Sequence, residues 1–152
     1  MLLRKDIRFV PTPPAVVEAM LDLAELTPSD FLLDLGSGDG RIPIQAGIRG
    51  VRARGVDIDL SLVSRSDHNA IGAGVTHLVD FMVGDLFRVD LSMATVVTLY
   101  LGGSINKRLR PRLENELKPG TRIVSHSFDM PGWEPQRFVE VETKFLFMWT
   151  VP

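Results

Sequence analysis

The chain has 152 residues, enough for one domain with a substantial apolar core and too few for two of ordinary size. Its 45% hydrophobic and 24% charged content is that of a globular protein, and a formal net charge of −2 argues against a general nucleic-acid or anionic-membrane binder. With no cysteine there is no disulfide framework, thiol nucleophile or thiolate metal site. The opening MLLRKDIRF lacks the apolar run of a signal peptide, and no stretch reaches the roughly 18 uninterrupted apolar residues of a membrane helix, so no membrane insertion and a cytoplasmic location are expected. Lys107, Arg108, Arg110 and Arg112 form the one local basic cluster.

In Val10-Pro11-Thr12-Pro13-Pro14 each proline disfavours a helical residue before it. Thr12 has the side chain of an N-cap and Pro13 suits a first helical position. The spacing of Val16, Val17, Met20, Leu21, Leu23 and Ala24 carries that helix to about Leu26. Thr27-Pro28-Ser29-Asp30 breaks it, and a first strand follows at Phe31–Leu35. A helix from about Gly40 to Arg49 tolerates Pro43 only because it falls in the first turn. The second strand is Ala53–Ile58, and a helix over Ser61–Ala70 is closed by Gly72-Ala73-Gly74. Val79–Val83 is a third strand, and the β-branched run Ala94–Leu101 reads as a buried central fourth. A helix fills Ser104–Leu117 until Pro119-Gly120, and the fifth strand is Thr121–Phe128. Phe138–Val141 and Phe145–Val151 alternate as an antiparallel hairpin turning near Thr143. Met82, Met93 and Met148 read as core, and His68 and His77 have no partners at metal-ligand spacing, so no metal is expected.

Strands alternating with helices define an α/β, doubly wound, mostly parallel sheet with right-handed crossovers. We divide the single domain into an N-terminal cap segment and helix (1–28), a core (29–128), and a loop with the C-terminal hairpin (129–152). In such sheets a ligand lies beyond the carboxyl ends of the strands, where strand order reverses. Gly36 to Gly40, Asp57, Asp85 and Tyr100 to Gly103 stand there. The stretch FLLDLGSGDGR, residues 31–41, runs from an apolar strand into Gly36, Gly38 and Gly40, which allow a sharp turn and close approach of bare backbone to a ligand. A dinucleotide fingerprint would need its third glycine at position 41, where the chain has Arg41.

The G-x-G-x-G spacing, with Asp34 before it and Asp57 at the next strand end, resembles motif I of the class I S-adenosylmethionine-dependent methyltransferases. VPTPPAVVEAML, LLDLGSGDGRI, GVDID, Asn69-Ala70 with AGV, GDLF, DLSMATVVTLYL, LRPRLENELKPGTRIVSHSFDM and the final WTVP cover most of the chain. Together they look like bacterial-type relatives of the lysine methyltransferases of the ATP synthase c-subunit and adenine nucleotide translocase. The resemblance implies a Rossmann-like seven-stranded sheet whose last two strands form the hairpin. Leu60 stands where that pattern has a proline, and Gly102-Gly103 replaces a bulkier, proline-containing lip. The sequence stops at Pro152, directly after the last expected strand and short of any C-terminal extension.

For S-adenosylmethionine as cofactor, the resemblance points to Asp57 on the ribose diol, with Asp59 the rival at the adjacent, oppositely facing position. Gly36, Ser37, Gly38 and Gly40 would pass its amino-acid portion, and Ile58 would lie beside it. Asp34 would stand behind the loop, holding loop N–H groups or the ammonium through water. Asp85 would accept from the adenine amine, or simply form a turn, while Leu86 packs on the ring. Thr12 is either a helix cap or part of a cover over the cofactor. An amine acceptor must lose a proton, and Tyr100 is the first candidate to line its channel; Asp129, Trp133 and His126 follow, each weighed against plain packing. Thr98-Leu99-Tyr100-Leu101 is not the (Asn/Asp)-Pro-Pro-(Tyr/Phe) motif of enzymes acting on planar nitrogens, so no nucleic-acid partner is expected. The expected acceptor is a protein or peptide lysine; a small-molecule N- or O-methyltransferase and a non-enzymatic S-adenosylmethionine-binding module remain the alternatives.

Overall fold

The central strand β1 (Phe31–Leu35) is buried nearly end to end because its apolar run is covered on both faces. The structure, a computed structural model, describes residues 10–152; residues 1–9, the start of the expected cap segment, lie outside the described residues. Around β1 run α1 (Pro14–Ala24), α2 (Arg41–Ile48), β2 (Arg52–Asp57), α3 (Leu60–Ala73), β3 (Val79–Val83), β4 (Val96–Leu99), α4 (Gly103–Glu116), β5 (Arg122–His126), β6 (Arg137–Val141) and β7 (Lys144–Thr150). The seven strands lie in the order β3-β2-β1-β4-β5-β7-β6. The first five are parallel, and β7 pairs antiparallel with both β5 and β6. Strand order reverses between β1 and β4, which is where a doubly wound sheet opens its ligand crevice.

Alternate strand residues feed two cores. Leu32, Ala53, Val96 and Val124 meet α1, α2 and α3 on one face. Leu33, Leu35, Val97, Leu99 and Ile123 meet Leu109 and Leu113 of α4 on the other, with Leu86, Val89 and Leu91 from the β3–β4 connection. No helix forms in that connection, so the sheet beside β3 is only partly covered. Met82 and Met93 are consequently 38% and 53% exposed, against the expectation of core; Met148 is buried.

Several boundaries shift for local reasons. Pro13, not Thr12, is the N-cap of α1 and provides no side-chain bond; the Thr12 hydroxyl pairs with His126 instead. That helix stops at Ala24 because Glu25 turns left-handed. By contrast α3 runs through Gly72 and closes on a left-handed Gly74. β4 is shorter than its apolar run because Ala94 is drawn into a turn with Leu91 and Tyr100 leaves the ladder over the crevice. β5 ends at His126 because Ser127 has φ 68°. Glu142 and Thr143, both at positive φ, make the two-residue hairpin turn whose twist suits the strands.

Gly40 and Gly50 share a left-handed backbone (φ 86° and 82°) but not its surroundings. A Cβ on Gly40 would meet the Phe81 ring at 2.7 Å, whereas one on Gly50 would meet nothing within 4 Å. Gly50→Ala should therefore cost only the conformational ~1–2 kcal/mol, and Gly40→Ala a further ~1–3 kcal/mol of overpacking, measured by denaturant unfolding.

Candidate active site

The glycine turn after β1 is fastened to the end of β2. Gly36 and Ser37 both donate their N–H groups to the Val56 carbonyl at 2.8 and 3.0 Å, and Gly38 donates to Asp57 Oδ2 at 2.9 Å. Asp57 Oδ1 accepts the Asp59 N–H at 3.0 Å, while Asp59 itself caps α3 through Ser61. The neighbours Asp57 and Asp59 thus divide two tasks, loop fastening and helix capping. From the other side Ser66 Oγ donates to the Gly38 carbonyl at 2.9 Å and Asn69 to that of Asp39 at 3.0 Å. Ser37 can settle here because Gly55 has no side chain: a Cβ there would lie 2.6 Å from Ser37 Cβ and Oγ. Ser37 Oγ is buried without a hydrogen-bond partner among the described residues.

This turn forms the floor of a two-lobed cleft over the carboxyl ends of β1, β2, β3 and β4. Thr12, Asp34, Gly36, Ser37, Gly38, Asp57, Ile58 and Tyr100 line the first lobe. Asp85 and Leu86 line the second, which shares Gly36, Asp57, Ile58 and Leu101 with the first. Gly40 lines neither; it lies beneath the turn against Phe81 and caps α2. Asp85 does form a turn, its Oδ1 accepting from Phe87 N–H at 2.9 Å, and it faces the second lobe as well.

The first lobe gathers four acids, Asp34, Asp39, Asp57 and Asp59, around a single cation, Arg41. Arg41 grips Asp39 with Nη2 at 2.6 Å and Nε at 3.0 Å, and donates to the Thr12 carbonyl at 3.1 Å. It therefore ties the proline segment to α2; the departure from the dinucleotide fingerprint at position 41 was the one sequence signal for it. Asp34 corrects an expectation. Its Oδ1 accepts from the Thr98 hydroxyl of β4 at 2.8 Å, while Asp57 does the loop fastening. Burial pushes the Asp34 carboxyl up to about 7, opposed by the Thr98 hydroxyl and reinforced by the charges of Asp57 and Asp39.

At the rim Tyr100 is half-buried and stacks on His126 (3.8 Å between centroids, 27°) and Phe128 (6.0 Å, 28°). His126 is fully buried, its Nδ1 lies 3.2 Å from Thr12 Oγ1, and burial, with the charge of Lys144, lowers it to about 4. Trp133 is not brought to this rim. Its ring lies 6.3 Å from Trp149 and 5.5 Å under Arg110, packed on the α4 side. Asp129 is exposed, accepts the Met130 N–H at 2.7 Å and does not line the cleft. Phe128, read from sequence as the end of a strand, is the ring that stands beside Tyr100, where Trp133 was expected. In the basic cluster, Arg110 pairs with Glu114 at 2.6 Å and Arg112 with Glu116 at 2.7 Å. Among the described residues no three His, Asp or Glu side chains come together as a metal site, and no helix is long and apolar enough to cross a membrane.

A seven-stranded sheet reversing at β1/β4, ending in an antiparallel hairpin and carrying an acid-flanked glycine turn at the switch point, defines a class I S-adenosylmethionine-dependent methyltransferase. Residues 34–137 match the ANTKMT methyltransferase domain, and the chain belongs to that family. It is 44% identical over 138 residues to a protein-lysine N-methyltransferase of Saccharolobus islandicus, covering 90% of this chain and 86% of that protein. An adenine nucleotide translocase lysine N-methyltransferase of Mus musculus is 35% identical over 134 residues, 88% of this chain but only 58% of that protein's length. The crystal structure of an RNA methyltransferase from Salinibacter ruber in complex with S-adenosyl-L-homocysteine matches with a TM-score of 0.92 and 53% identity, covering 94% of each chain.

The raised Asp34 carboxyl has a measurable consequence. Unfolded, it ionises near its ordinary 3.8; folded, it holds its proton to about 7, so its contribution to stability is greatest below 3.8 and is lost as pH rises through 7. Asp34→Asn should therefore gain on the wild type by about 2–3 kcal/mol between pH 5 and pH 8, read from chemical unfolding without cofactor.

Proposed function

We propose that the protein transfers a methyl group from S-adenosylmethionine to the side-chain amine of a protein lysine. The observation that carries this reading is the character of the cleft: the three carboxylates Asp39, Asp57 and Asp59 and the raised acid Asp34, with one already-paired arginine, beside an aromatic rim. Such a lining suits a cationic cofactor and a cationic acceptor, and it repels a polyphosphate backbone.

The residues fit the cofactor. Asp57 spends one hydrogen bond per oxygen on the protein, which leaves a lone pair on each for the two ribose hydroxyls. Ser37 Oγ is a buried hydroxyl needing a partner, and the backbone of Gly36 and Gly38 lies bare along the same lobe, suited to the amino-acid portion. Ile58, Leu86 and Leu101 give the second lobe apolar walls for an adenine ring, with the remaining acceptor capacity of Asp85 at its edge. Thr12 closes the first lobe from above, held by Arg41 and His126.

Adenosylmethionine supplies a methyl group already activated on a sulfonium, so the protein's share of the work is approach, orientation and the acceptor's proton. Free lysine has a pKa of about 10.4 and must be neutral to attack. Tyr100 lines that step: its half-buried ring keeps bulk water from the amine at the inner end of the approach, and loss of water lowers the amine's pKa. The proton leaves to water at the open rim beside Gly102 and Gly103, since His126 is held neutral and buried behind the ring.

The Salinibacter protein's description as an RNA methyltransferase supports a second reading, transfer to a nucleic-acid acceptor. Incubating the purified protein with methyl-labelled S-adenosylmethionine and cell lysate, then fractionating, separates the two. Label on protein that appears as methyllysine after hydrolysis is expected; label confined to RNA would replace the lysine reading, and label on small solutes would favour the small-molecule alternative. In the same protein Asp57→Ala should weaken S-adenosylhomocysteine binding by ~1.5–3 kcal/mol, about ten- to a hundredfold by calorimetry. If Asp59→Ala weakened binding while Asp57→Ala left it intact, the assignment of the ribose to Asp57 would fall.

A further inference from the structure

An aromatic side chain held out into solvent by a rigid backbone needs a reason. Phe128 is 38% exposed, yet its backbone is fixed from several directions. Its N–H donates to the His126 carbonyl at 2.9 Å, and its own carbonyl accepts from Ser125 Oγ at 2.6 Å and Asn106 Nδ2 at 3.3 Å. The preceding residue, Ser127, is a non-glycine at φ 68°, pinned by an N–H bond to the Phe145 carbonyl at 2.7 Å. Such a conformation costs of order 1–3 kcal/mol and persists where the surroundings over-determine it, commonly at ligand clamps. Here the strained turn lays Phe128 beside Tyr100, the residue that lines the first lobe.

We propose that Phe128 and Tyr100 together form the wall along which the acceptor's alkylammonium chain reaches the cofactor, with Phe128 the outer, specificity-determining contact. The assignment rests on the lysine reading for the charge on that chain and goes beyond it in naming the route. The three stacked rings grade outward, from fully buried His126 through half-buried Tyr100 to exposed Phe128. Aromatic faces attract a cation that is shedding its water. An oxygen stands nearby, since the Asp129 carboxylate is exposed at the next residue, and Asn106 Nδ2 holds the Phe128 and Asp129 carbonyls from behind. Asn106 also belongs to the first turn of α4, where its backbone N–H donates to the Gly102 carbonyl at 3.0 Å, so one residue joins the Gly102-Gly103 rim, through its backbone, to Phe128, through its side chain. A Cβ on either glycine would meet nothing within 4 Å, which leaves the entrance between them open.

The test needs no known acceptor. Three ligands are titrated by calorimetry: S-adenosylhomocysteine, an aza-analogue whose nitrogen replaces the sulfur and carries a 4-aminobutyl arm, and the same analogue with a plain butyl arm. The wild-type protein should bind the aminobutyl analogue at least tenfold more tightly than S-adenosylhomocysteine. Phe128→Ala should lose that gain while binding S-adenosylhomocysteine unchanged, and Phe128→Tyr should restore it. A gain that survives in Phe128→Ala, or is absent from the wild type, overturns the wall. A butyl arm that gains as much as the aminobutyl arm, and loses it in Phe128→Ala, overturns the cation contact and leaves an apolar one; the lysine reading beneath it stands or falls separately, on methyllysine in the labelling experiment.

Discussion

Three consecutive backbone N–H groups of the turn after β1 find their acceptors on the last two residues of β2, the Val56 carbonyl and the Asp57 carboxylate, and the rest of the site depends on that fastening. A turn with glycines at alternate positions has little conformational preference of its own and would be entropically expensive to hold in one shape. Fixing it through the neighbouring parallel strand makes its geometry a property of the sheet. The cost is that the strand-end carboxylate must serve the loop before it serves a ligand. A carboxylate can do both, having about four lone-pair directions, where an amide or hydroxyl would run short. Gly55 completes the arrangement from below, since a side chain there would lift Ser37 off the sheet.

The same crowding explains why the acids around the first lobe do not destabilise one another equally. Asp39 is relieved by Arg41, whose hydrogen bonds hold its carboxyl below the usual range. Asp59 spends its charge at the N-terminus of α3, where the helix dipole favours it. Asp57 is met by two backbone N–H groups. Asp34 has only the Thr98 hydroxyl and no water-facing side, so it answers the crowding by keeping its proton. One motif acid is thus a buried group that holds its proton to about 7.

The strands were legible as apolar runs stopped by glycine or acid: β1 and β3 lie at their expected residues, and β2 lies one residue earlier, at Arg52–Asp57 and not Ala53–Ile58. Asp57 at the end of β2 was legible for the same reason: a carboxylate closing a buried strand has few structural excuses. What escaped was anything set by partners distant in sequence. Thr12 reads either as a cap or as part of a cover over the cofactor; the cap half fails, since Pro13 is the N-cap and only folding brings His126 beside the Thr12 hydroxyl, while Thr12 does line the first lobe. Asp34 reads as holding either the loop N–H groups or the ammonium through water; the loop half fails, because in a pleated strand its side chain meets Thr98 of β4. Trp133 reads as a candidate for the acceptor side and Phe128 only as a strand end; the Ser127 turn, which residue type alone does not announce, puts Phe128 and not Trp133 beside Tyr100.

Gly102 and Gly103 bear on how open the acceptor side is. Neither is needed for backbone geometry: Gly102 has φ −59°, accessible to any residue, and Gly103 begins an ordinary helix. Neither is needed for packing, since each would accept a Cβ without contact. Glycine that is required by neither conformation nor space widens an opening and leaves the first turn of α4 without a side-chain cap. Across that opening stands Phe128, held rigid. A gate with one soft, featureless side and one stiff aromatic side discriminates by what can lie along the aromatic face, and only weakly by bulk. On the lysine reading proposed above, such a gate suits a long slender chain better than a folded surface, and an extended segment better than a globular epitope, because the opposite lip offers no surface to complement either.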